Sequence, residues 1–153
     1  EDVRSIVEGQ FTAVPQVWKL DYLQVMTGTI PTASVRLRKT GSEEPLADAG
    51  TGDGPIDAML KTIDRITGLR GHLVDYSVAS VTRGKDAIGE VSVRVEFSDG
   101  KGRQATAGPA GRIVTGKAGS TDIIEASALA YLNALNRFLD QQRRSAETVS
   151  SGV

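Results

Sequence analysis

The stretch Gly50-Thr51-Gly52-Asp53-Gly54-Pro55-Ile56-Asp57-Ala58 closes one regular element and opens another. Its glycines punctuate the end of a strand. Pro55 suits a first helical position, where its missing N–H would have no partner in any case. Asp57 then places a carboxylate in the first turn, on the side of the helix dipole that favours it. The same order recurs at Gly116-Lys117-Ala118-Gly119-Ser120-Thr121-Asp122-Ile123-Ile124-Glu125-Ala126, 68 residues later when Ile124 is set against Ile56. A period of this length is too long for a solenoid repeat and describes a duplicated half-domain. Each copy is expected to leave a helix N-terminus with unpaired N–H groups beside glycines, which is a ready anion site. Plain strand-to-helix punctuation and capping account for the same residues, so the turn alone does not separate a site from a structural device.

Working outward, the first half reads as strands over Val17 to Met26, Thr32 to Arg38 and about Pro45 to Thr51. The second strand alternates cleanly, with Ala33, Val35 and Leu37 on one side. A helix follows from Gly54-Pro55, with Ile56, Met59, Leu60, Ile63 and Ile66 on one stripe and Gly68 as its stop. The second half repeats the order: strands over Leu73 to Val81, about Gly89 to Phe97 and Arg112 to Lys117, a polar glycine-rich loop from Asp99 to Gly111, and a helix from Thr121-Asp122. Asp122 and Glu125 have capping-box spacing. The fold class expected is α+β, duplicated βββα units with two three-stranded sheets and two helices. The stripe Ile124, Ala128, Tyr131, Leu132, Leu135, Phe138 and Leu139 is wider than a three-stranded sheet requires, which points to a dimer. Residues 1–16, including a helical stub over Asp2 to Val7, read as a linker or subdomain remnant. Residues 17–140 form the domain (repeats 17–68 and 69–140), and 141–153 read as a disordered polar tail.

At 153 residues, 39% hydrophobic and 24% charged, the chain suits one globular domain with a sizeable core. A net charge of −1 gives no pull toward nucleic acid or an anionic membrane surface. The absence of cysteine removes disulfides and thiolate chemistry, and the single histidine, His72, removes a multi-histidine metal site. No apolar run approaches the ~20 residues of a membrane span, and no signal-peptide pattern opens the chain, so a cytoplasmic address is the default expectation. Because the chain begins at Glu1 rather than Met, it is expected to be a piece of something longer. No nucleophile–base arrangement supports a free-standing enzyme.

Four motifs in order carry a family resemblance: Gly52 to Ala58, Asp75-Tyr76, Val81 to Val91 (Val-Thr-Arg-Gly-Lys-Asp-Ala-Ile-Gly-Glu-Val), and Ser120 to Ser127 with Ala130 to Asn136. Together they resemble the C-terminal regulatory, dimer-forming domain of 2-isopropylmalate synthase, shared with the (R)-citramalate synthases, over roughly Trp18 to Phe138. The resemblance implies a pair of βββα units in an intertwined homodimer. It also implies an N-terminal catalytic barrel that joins acetyl-CoA to a 2-keto acid with the help of a divalent metal. That barrel's Asp-Arg-Glu and His-x-His motifs are not in this chain, so neither turnover nor a cofactor is expected of it. The chain departs from the family at Gly116-Lys117-Ala118-Gly119, commonly Gly-Arg-Gly and a small residue, and in a longer Asp99 to Gly111 loop.

The resemblance further implies that an end-product amino acid, L-leucine with L-isoleucine as the alternative, binds near the first turn and the Tyr76 strand and inhibits the barrel at a distance. A zwitterion with a branched tail needs N–H donors, acceptors for its ammonium, and a dry pocket. Gly52, Gly54 and Pro55 shape the turn, and N–H groups near Ile56 and Ile123 offer donors. Asp53, Asp57 and Asp122 are candidate acceptors. Ile56, Leu73, Tyr76, Ala87 and Ile123 would wall the tail, with Ser80 on the Tyr76 strand face. A ligand-free dimerisation module remains the alternative.

Overall fold

The computed structural model describes residues 14–84, 86–99 and 113–151. The expected helical stub at 2–7 and nearly all of the Asp99–Gly111 loop lie outside the described residues. Strands β1 (Trp18–Met26), β2 (Thr32–Lys39) and β3 (Leu46–Thr51) form one antiparallel sheet in that order, followed by helix α1 (Pro55–Thr67). Strands β4 (Leu69–Arg83), β5 (Asp86–Asp99) and β6 (Ile113–Ser120) form the second sheet, followed by helix α2 (Ile123–Ser151). The architecture is therefore βββα twice, as the duplicated turn implied.

The elements form where side-chain chemistry asks for them. Ala33, Val35 and Leu37 of β2 and Val91, Val93, Val95 and Phe97 of β5 are buried, so each central strand turns its apolar alternation toward a helix. α1 opens at Pro55 and stops at Gly68, whose φ of 79° is the left-handed conformation that ends helices at glycine. α2 covers β5 and β6 and also reaches β1, so the two halves share one apolar core. Phe97 packs its ring against those of Tyr131 and Phe138, with centroids 5.5 and 5.3 Å away.

Two boundaries differ from the sequence reading. The β4–β5 hairpin is longer at both ends, with pairing continuous from Leu69 opposite Asp99 to Arg83 opposite Asp86, and Gly84 at φ 61° in its turn. More important, residues 141–151 are helical where a disordered tail was expected. Polar composition suggested disorder, but the polar groups pair along the helix. Arg143 bonds Asp140 at 2.9 Å and Glu147 at 2.7 Å, and Arg144 bonds Asp140 at 3.0 Å. Such three- and four-residue pairs support a helix that has little apolar surface to bury.

Two side chains lock the repeats together. The Asn136 carboxamide on α2 accepts from the Trp18 N–H and donates to the Trp18 carbonyl, both at 3.0 Å. Asp64 on α1 accepts from the Tyr131 hydroxyl of α2 at 2.6 Å and from the Gly71 N–H of β4 at 3.1 Å. Burial pushes the Asp64 carboxyl up to about 6, against these two hydrogen bonds and the attraction of Arg70. The native state thus binds this proton more tightly than the unfolded chain does. As pH falls from about 7 through 6 toward the unfolded carboxylate value, Asp64 is expected to add stability on the order of 2–3 kcal/mol. Urea midpoints at pH 7.5 and pH 5 would show it, and Asp64→Asn, which cannot titrate, should remove that part of the slope.

Candidate functional site

The turn before α1 is built on a close approach. A Cβ on Gly52 would lie 2.5 Å from the Ala58 nitrogen and 2.7 Å from its Cα, so this position takes only glycine. The Gly52 N–H bonds the Pro31 carbonyl at 3.2 Å, which pins the strand end against the loop entering β2. Gly54 is the N-cap residue in extended backbone and supplies no side-chain cap. The first intrahelical bond is Ala58 N–H to the Gly54 carbonyl at 2.9 Å. The N–H groups of Ile56 and Asp57, orphans of helix geometry, therefore have no side-chain acceptor among the described residues. A Cβ on Gly54 would meet nothing within 4 Å. This helix start is open.

Asp57 is partly committed to the turn itself. Its Oδ2 accepts the Asp53 N–H at 2.8 Å and pairs with Lys61 at 3.0 Å. The Asp53 N–H first, and Lys61 second, hold its carboxyl below the usual range. Asp53 itself is exposed, while Pro55 and Ile56 are half-buried.

The second turn differs, and it corrects the expectation of two open anion sites. Asp122 Oδ1 accepts the Ile124 N–H at 2.9 Å and the Glu125 N–H at 3.4 Å. The Ser120 hydroxyl accepts from the Asp122 N–H at 3.1 Å and donates to Glu125 at 2.7 Å. The α2 start is closed by its own carboxylate, because an aspartate stands where the first repeat has Gly54. Asp122 is thus a helix cap first, with Oδ1 withdrawn from any ammonium.

The remaining expected residues gather on one face of the β4–β5 hairpin. Tyr76 pairs with Val93, Val78 with Val91 and Ser80 with Gly89, while Ala87 lies opposite Thr82. This register puts Tyr76, Val78, Ser80 and Ala87 on the face shared with buried Val91 and Val93. A bulge between Leu73 and Asp75 lets Leu73, opposite Val95, share that face as well. Ile123, the first residue of α2, seats its Cδ1 where a Gly89 Cβ would stand, and is 37% exposed. The Tyr76 hydroxyl lies 2.7 Å from Ser127 Oγ on α2.

Leu73, Tyr76, Ser80 and Ala87 therefore share one face, spread over ~26 Å from Leu73 to Ala87 at ~3.3 Å per residue, and Ile123 meets that face at Gly89, opposite Ser80. The Gly52–Asp57 turn belongs to the other half, and among the described residues no hydrogen bond joins it to them. Alternation along the strand places Val78 with Tyr76 and Ser80, and it is 45% exposed on that face; sequence reasoning missed Ser127. It also missed an open groove of about 420 Å³ between β1 and the α2 start, lined by Leu20, Leu23, Val25 and Ile124 with Asp21, Asp122 and Glu125 at its polar side. Asp21 is already paired with Arg36 at 2.6 Å there.

Among the described residues no group of three or more His, Asp or Glu side chains is placed to hold a metal ion. No helix among them is long and apolar enough to cross a membrane.

A family model described as the LeuA allosteric (dimerisation) domain matches residues 1–139. Similar proteins include 2-isopropylmalate synthase of Methylacidiphilum infernorum (isolate V4), 50% identical over 141 residues that cover 91% of this chain and 25% of that protein. The 2-isopropylmalate synthase of Carboxydothermus hydrogenoformans is 47% identical over 141 residues, again 91% of this chain and 25% of the relative. That of Trichodesmium erythraeum is 42% identical over 151 residues, 97% of this chain and 26% of the relative. The chain thus spans about a quarter of the length of these relatives. With a family match over nearly all of its length, the chain belongs to the LeuA allosteric (dimerisation) domain family.

Proposed function

We propose that this chain is the amino-acid-sensing part of a 2-isopropylmalate synthase, and that it binds L-leucine and passes feedback inhibition to a catalytic barrel elsewhere in the enzyme. The observation that carries this reading is the asymmetry of the two helix starts. α2 is closed by Asp122, whereas α1 offers the Ile56 and Asp57 N–H groups beside Gly54 and open space. A carboxylate suits that start, and a branched tail suits the face of Leu73, Tyr76, Ala87 and Ile123.

Since these two parts lie in different halves of one copy, pairing of two copies into a homodimer is the step that completes the site. The metal and acetyl-CoA of the condensation with 2-oxoisovalerate belong to the barrel, and the biosynthetic role belongs to the cytoplasm. Coupling between effector and barrel of ~1–3 kcal/mol would suffice for feedback.

Calorimetry of this chain against L-leucine, L-isoleucine and L-valine, with its mass in solution measured in parallel, tests the reading. Saturable L-leucine binding to a dimer supports it. Preference for L-isoleucine moves the chain to the citramalate branch, a discrimination worth only ~1–3 kcal/mol per methyl group. Silence from all three on a folded dimer leaves a dimerisation module. Gly54→Ala is expected to fold normally, its Cβ meeting nothing, yet to weaken L-leucine about 10- to 100-fold by intruding on charge-assisted N–H contacts. Unchanged binding in that variant would remove the α1 turn from the site.

A further inference from the structure

We propose that Ser127 is a positioning residue for Tyr76, and that it makes the Tyr76 hydroxyl an acceptor for the ammonium group of the effector. The inference rests on the reading above and assigns the orientation of the amino acid within the site. Ser127 is 1% exposed, one turn into α2, and does not reach the open face itself. Its Oγ donates to the Ile123 carbonyl four residues back, at 2.8 Å. A serine hydroxyl has one proton, and that proton is spent on Ile123. The 2.7 Å contact between Ser127 Oγ and the Tyr76 hydroxyl must then use the tyrosine proton. Tyr76 donates, Ser127 accepts, and the phenol is left with acceptor capacity alone.

A carboxylate at Tyr76 would set acceptor against acceptor, while an ammonium finds a partner there. The effector carboxylate is thereby directed to the open α1 start, which presents donors, and its ammonium to Tyr76. The same relay, from the Ile123 carbonyl through Ser127 to Tyr76, ties the first turn of α2 to the edge strand β4 and fixes the ring in place.

The test is calorimetry of the chain with L-leucine and with 4-methylpentanoate, which keeps the tail and carboxylate and lacks the ammonium. Tyr76→Phe should weaken L-leucine roughly 10-fold and leave 4-methylpentanoate within about twofold. Ser127→Ala, a good helix substitution, should weaken L-leucine roughly threefold and narrow the gap between the two ligands, because the freed phenol can donate again. The double variant should match Tyr76→Phe alone, since Ser127 acts only through that hydroxyl. Equal losses for both ligands, or additive losses in the double variant, overturn the inference. If the native chain takes up L-leucine and both single variants bind it unchanged, the sensing function stands and the role of Ser127 falls. If the native chain binds no branched amino acid, the sensing function falls and takes this inference with it.

Discussion

Asn136→Ala is expected to destabilise the chain by about 4 kcal/mol, from two backbone groups left unsatisfied at about 1–3 kcal/mol each. Trp18 lies on an edge strand, 6% exposed, and its N–H and carbonyl face α2 rather than another strand. The Asn136 carboxamide, 3% exposed, meets both with one donor and one acceptor. It completes the sheet edge as a neighbouring peptide group would. Truncation removes both partners at once, and water enters poorly at a site this buried. Against a typical net stability of about 5–15 kcal/mol, the loss would lower Tm by roughly 10 °C for a domain of this size. Asn136→Asp gives no rescue, since it restores the acceptor and turns a second acceptor on the Trp18 carbonyl. A denaturant or thermal measurement showing a loss below about 1 kcal/mol would mean that solvent reaches Trp18 in place of Asn136.

The contrast between what could and could not be read from sequence follows from how far each signal travels. Alternation at Ala33, Val35 and Leu37 and the stripe of Ile56, Met59 and Ile63 are local, and they gave the strands, the helices and their buried faces. Pro55 and Gly68 marked the ends of α1 because their backbone chemistry acts at their own positions. Asn136 gave no such signal: it sits mid-helix between Leu135 and Arg137, and its partner lies 118 residues away.

The candidate site divides in the same way. The duplicated turn was legible, but which copy stays open depends on where the Asp122 carboxylate points. Strict alternation would put Leu73 and Tyr76 on opposite faces, and only the bulge between Leu73 and Asp75 reunites them. The polar stretch after Asp140 was misread for the opposite reason. Its composition resembles a tail, and its pairing at helical spacing was the signal that composition hides.

Gly116→Ala is expected to cost about 3 kcal/mol, the upper range for forcing a methyl group into a packed contact. Gly116 is buried on β6 opposite Val93, under the middle of α2. An added Cβ would collide with the Ala130 carbonyl oxygen and lie 2.6 Å from the Ala134 nitrogen. Both obstacles are helix backbone, which cannot rotate aside, so α2 must lift from the sheet. Ala134→Gly would remove the Ala134 Cβ, 2.9 Å from the added methyl, and leave both obstacles in place; it is expected not to rescue. Gly71→Ala is the instructive counterpart. There the added Cβ meets the Tyr131 hydroxyl, a side-chain atom, so Tyr131→Phe should relieve part of the damage even though it also removes a donor from Asp64. Lifting α2 also carries Ile123 and Ser127 away from Gly89 and Tyr76. Gly116→Ala should therefore weaken L-leucine even at temperatures where the chain remains folded, although Gly116 shares the sheet face of Tyr76 and Val93 only where α2 covers it. Intact L-leucine affinity in a destabilised Gly116→Ala chain would show that the site does not depend on the seating of α2.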